Sequence, residues 1–356
     1  MLGISSKWDI ITEVQQASQL ALLESGGQAG NRQVELVFVD TADPQQTTLR
    51  EQAAIAKAVE DPAVVAVITA GNSDAARETI PFLNRLGLTC VSLTATWPGL
   101  TKPGFAPGEP GIFYPTGQRN FFRMIPSDDI QAVTAVQWMK EQGFQSVYVL
   151  HTETVYSTGL ANIVVAQAPL SDLTIVGHEQ VTHFSPAEQA QLAERILLSD
   201  PDVLYYAADP SIDFSLEVTL RTYDPELTII GGETLTFRRF PDDITALEGI
   251  YATNMTPSLE QLTSVGSFVE AYQEQYGEAP SSFAVPGYEA VNVILQAIAQ
   301  ADEPTRAGVL EAMHQLGDIS GVMGNWSFDA HGDTSLQITN VLQLQQGEWV
   351  SIDSIR

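Results

Sequence analysis

Cationic side chains are scarce in this chain. Its 356 residues hold 16 Lys and Arg against 44 Asp and Glu, a formal net charge of −28. Such a surface repels nucleic acid and anionic membranes, because both are recognised by basic residues meeting phosphate. Cysteine is scarcer still. The single Cys90 lies in the apolar run Leu88-Thr89-Cys90-Val91, where it reads as a small buried hydrophobe and a poor nucleophile. One cysteine excludes an intrachain disulfide and leaves the redox compartment open. No window approaches the ~18 uninterrupted apolar residues of a membrane span, and Met1-Leu2-Gly3-Ile4 is too short for a secretion signal. Enzyme signatures are missing as well. The first strand runs into Ser5-Ser6-Lys7-Trp8 instead of a glycine-rich phosphate loop, and no Gly-x-Ser-x-Gly elbow occurs. His151, His178, His183, His314 and His331 lack metal-ligand spacing. No catalytic residue, cofactor or metal is therefore expected.

What the chain does have is apolar material in regular order. With 44% hydrophobic residues it should be globular, and its length exceeds what one core usually fills, so two domains are expected. Apolar runs bounded by turn residues alternate with amphipathic segments, the α/β pattern of strand–helix units stacked into parallel sheets. Residues 2–4, 34–39, 64–69 and 88–93 read as strands. Residues 10–25 read as a helix stopped by Gly26-Gly27. Asp43-Pro44 opens a second helix, and Asn72-Ser73-Asp74 caps a third that runs to Leu86. Between Lys102 and Asn120, four prolines, four glycines and three aromatics leave no period, which predicts a long structured loop. From Phe121 a second series follows, with strands at 147–150, 174–176, 203–206 and 228–230 and a further crossing at 250–253. Helices at 264–275 and 288–299 and hairpin-like strands within 327–349 complete the chain.

Two strand ends carry chemistry. One, at 91–98, supplies Ser92, Thr94 and Thr96 just before Trp97-Pro98. Nearby in this reading stands Ser73, at a helix start whose free N–H groups and dipole favour an anion. The other is Ile229-Ile230-Gly231-Gly232-Glu233, where a lone carboxylate follows an apolar run. Donors at one end and a negative charge at the other suit a zwitterion such as a free amino acid. Each residue also has a plainer reading. Thr94 and Thr96 can be strand-end hydroxyls bonded to backbone, and Ser73 and Asp74 can be helix caps. An acid left unpaired in a closed cleft is costly, so Glu233 should meet a cation, either a ligand ammonium or an internal arginine.

The chain carries, in order, Asp40-Thr41-Ala42-Asp43-Pro44, Gly71-Asn72-Ser73, Ser92-Leu93-Thr94-Ala95-Thr96 and Leu100-Thr101. Next come Phe121-Phe122-Arg123 with Ser127-Asp128-Asp129, Tyr156-Ser157-Thr158-Gly159, Gly231-Gly232-Glu233 and Phe328-Asp329-Ala330-His331-Gly332-Asp333. Taken together, this order resembles the leucine/isoleucine/valine-binding protein group of the type I periplasmic binding fold, along almost the whole chain. The resemblance implies two doubly wound α/β lobes with parallel sheets, joined by three crossing strands near Met124, Thr253 and Asn325. Lobe one would be 1–123 plus 254–324 and lobe two 124–253 plus 325–356, with the ligand cleft between them.

By the same resemblance, Ser73 and Thr96 match hydroxyl donors to a ligand carboxylate, with backbone groups of Thr94 and Ala95 beside them. Glu233 matches the ammonium-binding acid, Tyr156 an aromatic lining the cleft from lobe two, and Trp8 an aromatic wall for the ligand side chain. Trp97 is an aromatic that either lines the cleft or packs. Asp209 stands where the branched-chain binders tend to carry an aromatic. It is either a second acid toward the ligand or a helix cap before Pro210. The function implied is capture of a small amino acid, branched-chain or otherwise aliphatic, by lobe closure and delivery to the permease of an ABC importer, without chemistry on the ligand. A monomer outside the cytoplasm is implied, periplasmic or a cell-surface lipoprotein, whose precursor's export signal is missing here. The alternatives are a ligand-sensing domain of a receptor or regulator, and a binder of an amide or aromatic acid.

Overall fold

Strand alternates with helix through most of the computed structural model, which describes residues 2–5, 9–40, 47–181 and 185–355. The chain forms two units, Met1–Ser127 with Thr256–Gln337 and Asp128–Met255 with Ile338–Arg356, and so passes between them three times. Residues 325–337, expected in lobe two, belong to unit one. The reason is local: Arg123 of that unit takes Asp333 as its ion-pair partner and bonds to the Gly332 carbonyl through its backbone.

Unit one begins with β1 (Leu2–Ser5), α1 (Asp9–Glu24), a short hairpin of β2 (Gln28–Ala29) and β3 (Arg32–Gln33), and β4 (Val37–Asp40). It continues with α2 (Thr47–Ala58), β5 (Ala66–Thr69), α3 (Ser73–Arg85), β6 (Thr89–Ser92) and β7 (Phe121–Arg123). β1 and β4 pair in parallel, β5, β6 and β7 form a second parallel set, and β1 lies alongside β5. The expected strands at 34–39 and 64–69 both start later than the apolar pattern does. Val34 gives its N–H to Gly27 at 2.8 Å, continuing the small hairpin, while the Val64 carbonyl is taken by Arg306 Nε at 3.0 Å. The segment between β6 and β7 is the expected structured loop, carrying only single turns of 3₁₀ helix at Pro98–Leu100 and Gly111–Phe113.

Unit two runs through α4 (Asp128–Glu141), β8 (Ser146–His151), α5 (Val155–Gln167), β9 (Thr174–Gln180) and α6 (Pro186–Leu198). Then come β10 (Val203–Ala207), α7 (Ser215–Tyr223), β11 (Thr228–Gly231) and β12 (Tyr251–Asn254). The chain returns to unit one for α8 (Gly266–Tyr276), α9 (Ala284–Gln300), α10 (Arg306–Gln315) and the hairpin of β13 (Ile319–Gly321) and β14 (Gly324–Trp326). It ends in unit two with the antiparallel pair β15 (Thr339–Gln345) and β16 (Glu348–Ile355), so the closing hairpin starts later than its expected position within 327–349.

The unit two sheet has the order β16-β15-β12-β11-β10-β8-β9, with the five strands from β12 to β9 parallel. Alternate residues of these strands feed two cores. Tyr148, Leu150, Leu204, Tyr206 and Ile229 meet α6 and α7, whereas Val147, Val149, Val203, Tyr205 and Ile230 meet α4 and α5. That period-two split, with both faces apolar and both covered by helices, is what a doubly wound parallel sheet requires. Among the described residues no helix is long and apolar enough to cross a membrane.

Candidate functional site

Each unit has one place where consecutive strands depart in opposite directions. In unit one it falls between β1 and β5, and in unit two between β8 and β10. The helices that follow such strands leave on opposite faces, so a crevice opens beyond the strands' carboxyl ends, where α/β proteins bind ligands. Of the described residues singled out from the sequence, Ser73, Thr94, Ala95 and Thr96 follow β5 and β6 as a donor corner in unit one, and Tyr156, Asp209 and Glu233 follow β8, β10 and β11 as an acid corner in unit two.

The donor corner is built on β5, β6 and the start of α3. Asn72, and not Ser73, caps that helix, its side chain accepting from Ala75 N–H at 2.9 Å. Ser73 is thereby released for another role: its buried hydroxyl oxygen accepts from Trp97 N–H at 3.1 Å, which leaves the hydroxyl proton for a further acceptor. Ser92 ends β6 and turns the chain, accepting from Ala95 N–H at 3.0 Å and Thr94 N–H at 3.4 Å. The Thr94 hydroxyl donates to the Gly71 carbonyl at 2.8 Å, which is the backbone-bonded alternative for that residue. Thr96 differs. It is 0% exposed, and its hydroxyl has no hydrogen-bond partner among the described residues. The buried hydroxyls of Thr79 and Thr89 are also unpartnered, so it is the place of Thr96, on the strand-end loop that binds Ser73, that sets it apart. At the same strand ends lies a cavity of ≈ 10 Å³ with mostly apolar walls, among them Val14, Phe38, Ile68 and Leu93.

The long loop supports this corner from outside. Trp97 packs and does not line an opening: its indole N–H donates to Glu109 Oε2 at 2.9 Å and its ring meets Phe105 edge-on at 5.5 Å between centroids. Arg77 of α3 pairs with Glu109 at 3.3 Å. Phe113 and Tyr114 are buried, and the Tyr114 hydroxyl donates to the Leu100 carbonyl at 2.8 Å. Trp8 lies outside the described residues, as does most of the Asp40–Pro44 segment.

In the acid corner, β11 ends at Gly231 and Glu233 opens a 3₁₀ turn, Glu233–Phe237. The glycine at 232 is there for space. A Cβ on it would collide with the Tyr156 hydroxyl and come within 2.9 Å of Leu160 Cδ2. Through that gap Tyr156, on α5, donates its hydroxyl to Glu233 Oε2 at 3.2 Å, and Gln131 of α4 gives the same oxygen a second bond. Gln131 also reaches the Thr253 carbonyl at 3.3 Å. Among the described residues no Lys, Arg or His pairs with Glu233. Burial pushes its carboxyl above the ordinary 4.5, against the lowering effect of the Gln131 and Tyr156 bonds. Burial first, then the charge of Glu233 and Asp128, raises the Tyr156 phenol well above 10.0, so it stays a neutral donor.

Three members of this corner escape sequence reasoning. Gln131 carries no motif, and Asp128 enters only within Ser127-Asp128-Asp129, one piece of the family resemblance. Tyr205 reads as a core strand residue, yet its buried hydroxyl has no partner among the described residues, and its phenol is raised by burial and then by Glu233 and Asp128. Asp209 is half-buried and already engaged in a turn, one carboxylate oxygen accepting from Ser211 N–H at 2.9 Å. Its own N–H donates to Thr152 at 3.0 Å, and no helix begins there.

Two doubly wound units with three chain passages between them, each with polar groups at its strand switch, define the type I periplasmic binding fold. A family model described as periplasmic binding protein matches residues 10–348, and the chain belongs to that family. The leucine-, isoleucine-, valine-, threonine- and alanine-binding protein of Pseudomonas aeruginosa is 22% identical over 338 residues, covering 90% of this chain and 82% of that protein. An ABC transporter substrate-binding protein from Desulfitobacterium hafniense, in complex with Leu, superposes with a TM-score of 0.80 at 23% identity, covering 99% of each chain. A solute-binding protein from R. palustris in complex with benzoate gives 0.74 at 15% identity, covering 99% of this chain and 95% of that one.

Proposed function

We propose that this protein is an extracytoplasmic solute-binding protein that captures a small aliphatic amino acid and delivers it to an ABC importer. The observation that carries the reading is Glu233, a part-buried carboxylate whose side-chain partners among the described residues are two neutral donors, Gln131 and Tyr156. Neutral donors orient a carboxylate without cancelling its charge, so the corner is prepared for a cation that arrives with the ligand. The ligand's ammonium supplies that cation. Its carboxylate is met by the donor corner, where Ser73 and Thr96 have hydroxyl protons to give. Only a closed form satisfies both poles of the ligand, so binding selects closure. No step of bond chemistry is involved.

The benzoate-bound relative favours a second reading, an aromatic acid, which would use the donor corner alone and leave Glu233 without a partner. Isothermal titration against the twenty amino acids and benzoate separates the two. Heat with leucine or a close aliphatic, lost about 100-fold in Glu233→Gln, is expected from a severed buried charge pair. A silent titration with every amino acid overturns the proposal, and benzoate binding that Glu233→Gln leaves intact replaces it with the second reading.

A further inference from the structure

Thr96 is the donor whose side chain no described residue holds, so its direction must come from the backbone on either side. Both flanks are fixed by one residue. Arg123 Nη1 donates to the carbonyl of Ala95 at 3.4 Å and to that of Trp97 at 3.2 Å. On the other side, Trp97 N–H is bonded to Ser73, so the loop is tied at once to α3 and to the guanidinium.

Arg123 has 0% exposure, and its remaining nitrogens are anchored on Asp333 and further along the loop on Thr101. Nε donates to Asp333 Oδ1 at 2.7 Å, and Nη2 donates to the Thr101 hydroxyl. Thr101 passes its own proton to Asp333 Oδ2 at 3.0 Å. Asp333 is fixed in turn, its N–H bonded to Asp329 Oδ1 at 2.9 Å, and Arg123 N–H is bonded to the Gly332 carbonyl at 2.9 Å. A guanidinium gripped along one edge by a carboxylate and a hydroxyl can hold its other edge in one direction, because its donors form a rigid planar fork. Lysine would keep the charge for Asp333 but has no second edge to offer the loop.

We propose that Arg123 is a positioning residue of the binding site: oriented by Asp333 and Thr101, it sets the Ala95 and Trp97 peptides and so aims the Thr96 hydroxyl at the ligand carboxylate. The ligand half of this inference rests on the amino acid reading above, while the loop half does not. A residue that only stabilised the fold would lower unfolding temperature and affinity in any background. A residue that acts through Thr96 has nothing to act on once the Thr96 hydroxyl is gone.

Two measurements on wild type, Arg123→Lys, Thr96→Val and the double variant test it. Hydrogen exchange in ligand-free protein should quicken about 10-fold in peptides spanning 94–101 of Arg123→Lys, with β5 and β6 unchanged. Calorimetry with L-leucine should show Arg123→Lys weakening binding about 10-fold beside Thr96, and less than about 2-fold in the Thr96→Val background. Should Arg123→Lys not fold, Thr101→Val removes one anchor of the fork and should show the same non-additivity at smaller size. An unchanged exchange rate in the loop, or equal losses of affinity in both backgrounds, overturns the positioning role. Wild type that gives no heat with leucine or any other amino acid overturns the functional reading and the ligand half with it, while the exchange result still decides the loop half.

Discussion

Tyr156 reaches Glu233 Oε2 at 3.2 Å through a gap that exists only because residue 232 has no side chain. The hydroxyl helps keep the carboxylate ionised, since a hydrogen bond to the charged form opposes the effect of burial. Tyr156→Phe should therefore weaken amino acid binding about 5- to 10-fold, the size of one net hydrogen bond. Gly232→Ala should weaken binding and also lower the unfolding temperature, because its Cβ meets the Tyr156 hydroxyl. Joining the two substitutions removes that clash, so the double variant should melt above Gly232→Ala alone. Calorimetry and thermal unfolding check this, and a double variant no more stable than Gly232→Ala would disprove the account of the gap.

The pH dependence follows from the same carboxyl group. Burial raises Glu233 above its ordinary 4.5, so between that value and the raised one the folded, ligand-free protein binds more protons than the unfolded chain. The contribution of this group to stability is then most favourable at low pH and is lost as pH rises through the raised pKa. Glu233→Gln should flatten that segment of the curve and leave the ligand-free protein at least as stable as wild type at neutral pH. Binding has the opposite sign. An ammonium ligand needs the ionised form, so affinity should fall as pH drops through the raised pKa, and protons should be released on binding in that window. Titration in two buffers of different ionisation enthalpy measures the release. Proton uptake, or none, would remove Glu233 from the ammonium site.

How much of this was legible beforehand depended on whether the signal was local. The central strands of unit two are visible because β8, β10 and β11, buried on both faces, read as apolar runs. Glu233 is visible because an acid directly after an apolar run and two glycines has little structural reason to be there. Gln131 is not: it meets Glu233 from a helix 102 positions earlier in sequence, and nothing beside it marks the meeting. Arg123 and Asp333 are 210 positions apart and lie in separate pieces of the resemblance, so their pairing is tertiary information. The helix α10 was missed because Gly308 in its first turn weakens the pattern, although the Thr305 side chain caps it at that residue's N–H. Trp97 invited a cleft role by its place at a strand end, and the loop acid Glu109, invisible as a partner in sequence, turned it inward.

Glu289 is a buried carboxylate with no cation paired to it among the described residues, and its role is structural. It lies in α9 with 1% exposure and takes donors from the β13–β14 hairpin: Trp326 Nε1 at 2.9 Å on one oxygen and Val322 N–H at 3.2 Å on the other. Gly321 makes room, since a Cβ there would run into the carboxylate. Glu289→Leu would leave the indole and backbone donors buried and unpaired and should cost about 3 kcal/mol. Gly321→Ala should cost about 2 kcal/mol through overpacking. Denaturant unfolding measures both, and a loss under about 0.5 kcal/mol in either would show that the hairpin does not depend on this contact.

Unit two holds the opposite case, a buried charge with its countercharge. Arg238 donates to Glu217 Oε1 at 2.6 Å with both side chains at 0% exposure, and its guanidinium lies 5.1 and 5.2 Å from the ring centres of Tyr206 and Phe214. Burial pushes the Glu217 carboxyl up and Arg238 opposes that shift, so the acid depends on the arginine to stay charged. Removing one partner strands the other in a low-dielectric site, whereas removing both takes away the desolvation cost together with the attraction. Arg238→Met alone should therefore destabilise the protein by about 3–5 kcal/mol, and Glu217→Leu alone by a similar amount. The double variant should recover to within about 1 kcal/mol of wild type, because two apolar side chains of similar volume can fill the space between Tyr206 and Phe214. Equilibrium unfolding of the three variants decides it: a double variant as unstable as the sum of the singles would mean that each side chain is held by other contacts and that the pair is not a unit.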